Sequence, residues 1–339
     1  MKSNRWILVS FSVLLGVSGV SAAGHPGYLA DTPTLYMPYI AAPGGPMISG
    51  CPVFPANNIW NARVDRLPVD PNSTIYVNTI GASTTLHPDF GTVWNGAPIG
   101  IPYTPVTASQ PFVPIHFDPY GSESDPGPYP IPFNAAIEGG PSAKPGDDRH
   151  VLVVDTGNCK LYELYQGSPN ADGSWNASSG AMYDLRSNAL RQLGWTSADA
   201  AGLPIFAGLV RYDEVISGQV LHAIRFTVPQ TRNTYVWPAT HMASYHTGAN
   251  FPPMGQRFRL KASVAISAYP PLIQTIFQAF KTYGVILADN GSSWYIGGAP
   301  DSRWGDDMLV TNFRKLKGSD FEAVDSSSLM VAPTSGQVK

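Results

Sequence analysis

Carboxyl groups set inside or beside apolar runs are the residues of this chain best suited to chemistry. Asp155 closes HVLVVD (150–155), Glu163 lies within KLYELY (160–165), Glu138 precedes Gly139-Gly140, and Asp289 follows VILA (285–288). An apolar setting raises a carboxyl pKa because burial disfavours the charged form. Glycoside cleavage needs two carboxyls facing one bond, one protonated as acid and one ionised as base or nucleophile. Asp155, Glu163, Glu138 and Asp289 are therefore the candidate catalytic acids. Asp155 and Asp289 also suit turns, where a short carboxylate accepts from nearby amides. Asp213-Glu214 reads as a solvated hairpin tip.

Two histidines join the candidates as general acid or base, since imidazole titrates near neutrality. His241 lies in WPATHMASYH (237–246), and His222 alternates with Ile224 and Phe226 in VLHAIRFTV (220–228). Arg225 falls on the opposite face of that run from His222, as period-two alternation requires. Neither histidine has companions at a metal-ligand spacing, so no metal and no cofactor is expected. Trp237, Tyr245, Trp294 and Trp304 lie among Asn, Asp, Gly and Ser late in the chain. Their flat rings suit the C–H faces of pyranoses, and with Arg225 they are the candidate substrate-binding residues. Core packing is the preferred role for most of these aromatics, with Trp304 the one expected to be partly exposed. Nucleotide-binding loops, the Gly-x-Ser-x-Gly elbow and His-Glu-x-x-His are all missing.

These residues need strands to position them. The chain has 33 Gly and 32 Pro against 13% charged residues, a balance suited to short strands joined by turns. A hairpin is expected over 150–165, a second over 208–228 with Asp213–Gln219 as its tip, and a third across Asn290-Gly291 joining 285–288 to 293–297. Further strands are expected at 75–79, 113–117, 234–237 and 257–266. Helices are expected at 270–284, where prolines lead and Gly284 follows, and at 306–316. The fold class is mainly β, a β-sandwich or distorted barrel decorated with two or three short helices.

Residues 1–23 read as a cleavable signal peptide: Lys2 and Arg5, an apolar run from Trp6 to Val20, then small residues. Export is the expectation, either extracellular or periplasmic. Residues 24–50 form a Pro/Gly-rich arm, 51–325 a single globular domain containing the Pro-rich stretch 122–132, and 326–339 a disordered polar tail. The formal charge is −3, and losing Lys2 and Arg5 takes it to −5. Such mild, dispersed acidity argues against nucleic acid as a partner. No run after the leader is apolar enough to cross a bilayer. Cys51 and Cys159 are expected to pair as a disulfide, given an oxidising compartment.

The segments DRHVLVVDTGNCKLYELY (148–165), GWTSADAAGLPIFAGLVRYDEV (194–215) and YGVILADNGSSWYIGGAPDSRW (283–304) resemble a widespread uncharacterised family of secreted microbial proteins. The resemblance spans about half the chain and implies an intact domain, with no activity to carry over. From the residues, the expected function is a secreted carbohydrate-active enzyme, a polysaccharide hydrolase using paired carboxyls. A non-catalytic glycan-binding or envelope-associated module is one alternative. A polysaccharide lyase, with Arg225 or Lys261 neutralising a uronate, is the other.

Overall fold

The computed structural model describes residues 45–339; the expected signal peptide and most of the N-terminal arm lie outside the described residues. Ten strands build two principal sheets. They are β1 (His87–Asp89), β2 (Tyr103–Val106), β3 (Val151–Asp155), β4 (Lys160–Tyr165), β5 (Ser179–Asp184), β6 (Ile224–Val228), β7 (Arg257–Leu260), β8 (Val285–Asn290), β9 (Tyr295–Gly297) and β10 (Phe321–Val324). The first sheet runs β5-β4-β3-β2 and the second β10-β7-β8-β6-β9-β1. The protein is mainly β, and among the described residues the sheets are open, with no barrel closed.

Alternation along β3 and β4 explains the layering. Leu152, Val154 and Leu161 join the main core, which also takes Phe226, Phe258 and Leu287 from the second sheet. Val151, Val153, Tyr162 and Leu164 point the other way, into a smaller core with Tyr129, Ile131 and Trp175. A strand buried on both faces reads as a continuous apolar run, which is how VLVV appears in sequence. Helix α3 (Pro271–Thr282) buries Ile273, Ile276, Phe277 and Phe280, with Pro at its first position, as the spacing predicts. The shorter helices are α1 (Ser73–Ile80), α2 (Tyr212–Ile216) and α4 (Asp306–Phe313).

Several local expectations differ from the fold. IYVNT (75–79) lies within α1, because Tyr76, Val77 and Ile80 bury one helical face. A short apolar run fits either period, and packing against β10 decides it. The hairpin expected over 208–228 does not form. Asp213 and Glu214 instead occupy the first turn of α2, where acids suit the helix N-terminus, and Val215 is buried. Asn290-Gly291 does not join paired strands either: β6 lies between β8 and β9. The strand expected over 257–266 stops at Leu260, and 234–237 contributes a single bridge at Tyr235.

The C-terminal segment 326–339 is tied down rather than free. Ile59 N donates to Gly336 O at 2.7 Å, Val338 N to Asn57 O at 2.9 Å, and Gly336 N to Asn188 O at 2.7 Å. Backbone groups make these bonds, so polar side-chain composition gave no sign of them. The Pro-rich stretch 122–132 is likewise pinned, with Tyr129 buried and its hydroxyl donating to Asp125 O at 2.7 Å.

Cys51 and Cys159 form the expected disulfide, with Cα atoms 5.3 Å apart and 108 residues of separation. In the chain-entropy picture a loop of that size is worth about 4–5 kcal/mol. Among the described residues no helix is long and apolar enough to cross a membrane.

Candidate active site

Where the two sheets meet, four acids, one arginine and one histidine converge. Arg225, on the central strand β6, is the hub. Its Nε and Nη2 donate to Asp199 Oδ2 and Oδ1 at 2.9 and 2.7 Å, a bidentate pair. Both partners are buried. The side chain lies across β9 at Gly297, where a Cβ would stand 2.8 Å from Arg225 Cγ. Only glycine leaves that path open. Asp89 pairs with the same Gly297 from β1, so Asp89, Gly297 and Arg225 form one row across the sheet.

Asp289 reaches this face through an irregularity. β6 and β8 pair Phe226 with Leu287 and then Thr227 with Asp289, skipping Ala288. An extra residue of this kind re-aims the side chains beyond it. Without it Asp289 would sit opposite Val228, on the face away from Arg225. With it, Asp289 Oδ2 lies 4.0 Å from Arg225 Nη2. Burial first, and then the neighbouring Asp199 carboxylate, push the Asp289 carboxyl well above the usual range against the pull of Arg225. Asp289 also hydrogen-bonds to Asp199. Two carboxyls in such contact share a proton, and Asp289 is the one that keeps it. Its side chain is 27% exposed.

Asp199 is placed by the turn around it. Asp199 N donates to Ser197 Oγ at 2.9 Å, Ser197 Oγ donates to Leu203 O at 2.7 Å, and Ala201 N donates to Ala288 O at 2.9 Å on β8. The turn is thereby docked onto the strand that carries Asp289.

The first sheet supplies the opposite charge state. His150, just before β3, has Nδ1 at 2.6 Å from Glu138 Oε2 and Nε2 at 3.0 Å from Ala198 O. A carbonyl only accepts, so Nε2 carries a proton; Nδ1 faces a carboxylate and carries the other. Burial opposes a charged imidazole, but the Glu138 carboxylate outweighs it and takes His150 to about 9. Burial would likewise raise Glu138, yet the imidazolium and its hydrogen bond hold that carboxyl below its ordinary value. Glu138 is 25% exposed. Asp89 rises to about 6 through burial and the charge of Glu138. Tyr165, partly exposed at the end of β4, has its ring 5.6 Å from that of His150.

The His150–Glu138 pair predicts a pH dependence. His150 has an ordinary value of 6.5 and a folded value of about 9. Its contribution is therefore fully present below 6.5 and disappears as pH rises through about 9. The total is on the order of 3 kcal/mol. Glu138 acts in the opposite sense, contributing above its ordinary value of 4.5 and losing that contribution as pH falls. Urea midpoints of the wild type should fall between pH 6.5 and 9 relative to His150→Gln; parallel curves for the two proteins would remove the assignment.

Other expected site residues lie elsewhere. Glu163 is fully buried and accepts from Ile205 N and Phe206 N at 3.0 and 2.9 Å. Burial lifts it to about 7 against those two bonds. It borders the cluster, sensing Asp199 and His150, but anchors the turn at 206–208 rather than facing the cleft. Asp155 accepts from Gly157 N and Asn158 N, both at 3.0 Å, closing the β3–β4 turn. It stands at the far end of β3 from His150, on the order of 16 Å away. His222 is buried with Glu214 and Arg211, at 3.1 and 3.3 Å from its Nε2, in a separate network. His241 lies at the margin: Nδ1 donates to Ala200 O at 2.8 Å, next to Asp199, and Nε2 is 3.7 Å from Glu123 Oε2.

The expected aromatic platform does not assemble. Trp294 is buried and stacks on Phe226 at 5.5 Å, and Trp304 packs on Phe90 at 5.2 Å. Trp237 is partly buried, donating to Ser335 O at 2.8 Å. Tyr245 is 99% exposed. Arg225 is committed to Asp199 and offers substrate no free guanidinium. Asp89, His150 and Asp199 belong to the cluster but were not among the sequence candidates. Asp148-Arg149-His150 ahead of an apolar strand was the one local sign of His150; Asp89 and Asp199 had none, since each depends on a distant partner.

Comparison with family models, curated proteins and solved structures found no match.

Proposed function

We propose that this chain is an exported hydrolase that cleaves a polysaccharide by acid–base chemistry, with Asp289 as the acid and Glu138 as the base or nucleophile. One contrast supports the reading. Asp289 holds a proton against its usual tendency, while Glu138, in the same cluster, is held ionised, and each keeps about a quarter of its side chain exposed. Carboxyls driven apart in this way are how one site runs acid and base chemistry together. Asp289 gives its proton to the glycosidic oxygen as the C–O bond breaks. Glu138 takes a proton from the attacking water or adds to the sugar carbon itself. Asp199 and Arg225 act through Asp289 as positioning residues, and His150 acts through Glu138.

The polymer and the address come from the leader-like residues 1–23 and the Cys51–Cys159 bond, which suit an oxidising compartment outside the cytoplasm. A lyase needs a cation free to meet a uronate. Arg225 already holds Asp199, and Lys261 Nζ donates to Ser319 O at 2.8 Å. The test is release of reducing ends from a panel of neutral, amino and acidic polysaccharides. Release by wild type is expected from at least one member; a well-folded preparation that releases none from any of them would overturn the reading.

A further inference from the structure

Tyr165 stands at the cluster, and the acid–base assignment gives it no task. Alternation on β4 puts Leu161, Glu163 and Tyr165 on the face toward the main core, while Tyr162 and Leu164 fill the smaller core behind. One step past the Val151–Leu164 pair, Tyr165 stands opposite His150, and on its other side Ser179 of β5 pairs with it. Both neighbours anchor the turn that carries Asp199. His150 Nε2 donates to Ala198 O at 3.0 Å, and Ser179 Oγ donates to Ser197 O at 2.7 Å. Tyr165, between them, makes no such bond. Its ring lies 5.6 Å from that of His150, it is partly exposed, and among the described residues its hydroxyl has no hydrogen-bond partner. Burial first, then Asp148, Asp289, Tyr120 and Glu138, raise the phenol above its usual value. It is a neutral donor within the field of both exposed carboxyls.

Resting on the reading of Asp289 as acid and Glu138 as base or nucleophile, we infer that Tyr165 is a further substrate-contacting residue of that centre, its hydroxyl donating to an oxygen of the sugar unit at the cleaved bond. A half-buried tyrosine ordinarily finds a partner for its hydroxyl, and this one is left for what enters the cleft. The residues on either side of it hold the Asp199 turn, and Asp199 in turn meets Asp289. His150, opposite, holds Glu138. A sugar lying between the two carboxyls therefore passes the Tyr165 hydroxyl, and every face of a sugar offers oxygen acceptors. A phenol that stays neutral donates to them without competing for the proton that Asp289 delivers. Such a bond raises kcat to the extent that it tightens in the transition state.

The experiment compares Tyr165→Phe with wild type on a panel polysaccharide that wild type cleaves. A second arm runs Asp289→Asn and Asp289→Asn/Tyr165→Phe through native gels containing hydroxyethyl cellulose, xylan or soluble chitosan. Tyr165→Phe keeps its ring against His150 and removes a hydroxyl that the fold does not use, so Tm should be unchanged. Its kcat/KM should fall about five- to tenfold, the worth of one neutral hydrogen bond, by the same factor at every pH. Unchanged kcat/KM overturns the inference and leaves the acid–base reading standing. A loss confined to the acid limb also overturns it, because the hydroxyl then acts through Glu138 and not on the sugar. If wild type releases no reducing ends, the acid–base reading falls and the gels decide the contact. Retardation of Asp289→Asn that weakens with Tyr165→Phe upholds it; retardation equal in both proteins, or absent from both, removes it.

Discussion

Asp289→Asn is expected to lower turnover by about 10²–10⁴-fold, the usual range for losing a general acid, while the protein stays folded. The two effects separate because Asp289 is already uncharged. Its carboxyl is held protonated by burial and by Asp199, so an amide of the same shape keeps a donor toward Asp199 and removes only the transferable proton. The wild-type profile of kcat/KM should be bell-shaped. Activity needs Glu138 ionised, above a pKa that His150 has lowered, and Asp289 protonated, below a pKa that burial and Asp199 have raised. The optimum therefore spans and exceeds the normal carboxylate range. Asp289→Asn should leave the residual rate without its alkaline limb. An unchanged alkaline limb in that variant would place the acid elsewhere.

Asp199→Ala is expected to cost about 3–5 kcal/mol of stability, the penalty for stranding a buried charge. Arg225 would keep its place on β6 with Gly297 behind it and, in front, only the Asp289 carboxyl 4.0 Å from Nη2 in place of the bidentate pair. The same change removes the neighbour that helps keep Asp289 protonated, so surviving activity should lose its alkaline reach. Replacing both partners, Asp199→Leu with Arg225→Met, should recover much of the stability and none of the activity, since an apolar pair of similar volume often matches a buried ion pair. Urea denaturation of the two single variants and the double variant measures the coupling. If Asp199→Ala costs less than about 1 kcal/mol, the level of an exposed ion pair, water reaches Arg225 and the buried pair is not what holds Asp289.

The carboxyls were visible in sequence in unequal ways. Glu138 and Asp289 stood out as acids beside apolar runs, and both lie in the cluster. Asp155 carried the same local signature, yet it closes a turn; the distinction is which end of β3 each residue occupies, and nothing in HVLVVD marks one end as facing the second sheet. Asp289 is the sharper case. Its face is set by the skipped Ala288 in the pairing of β6 with β8, and an irregularity between strands about sixty residues apart leaves no local trace. Trp304 illustrates the converse: polar neighbours in sequence suggested partial exposure, but its side chain packs in the core.

The chain by itself determined what local chemistry dictates. Turn residues and a continuous apolar run specified the β3–β4 hairpin, Pro271 and the apolar stripe specified α3, two cysteines specified one disulfide, and the Gly/Pro-rich, charge-poor composition specified a mainly β fold. Only the tertiary structure decided which acids share a proton and which are held ionised. Asp199 meets Asp289 and His150 meets Glu138 through contacts made across two sheets, and burial there outweighs the intrinsic acidity that a residue's type alone reports.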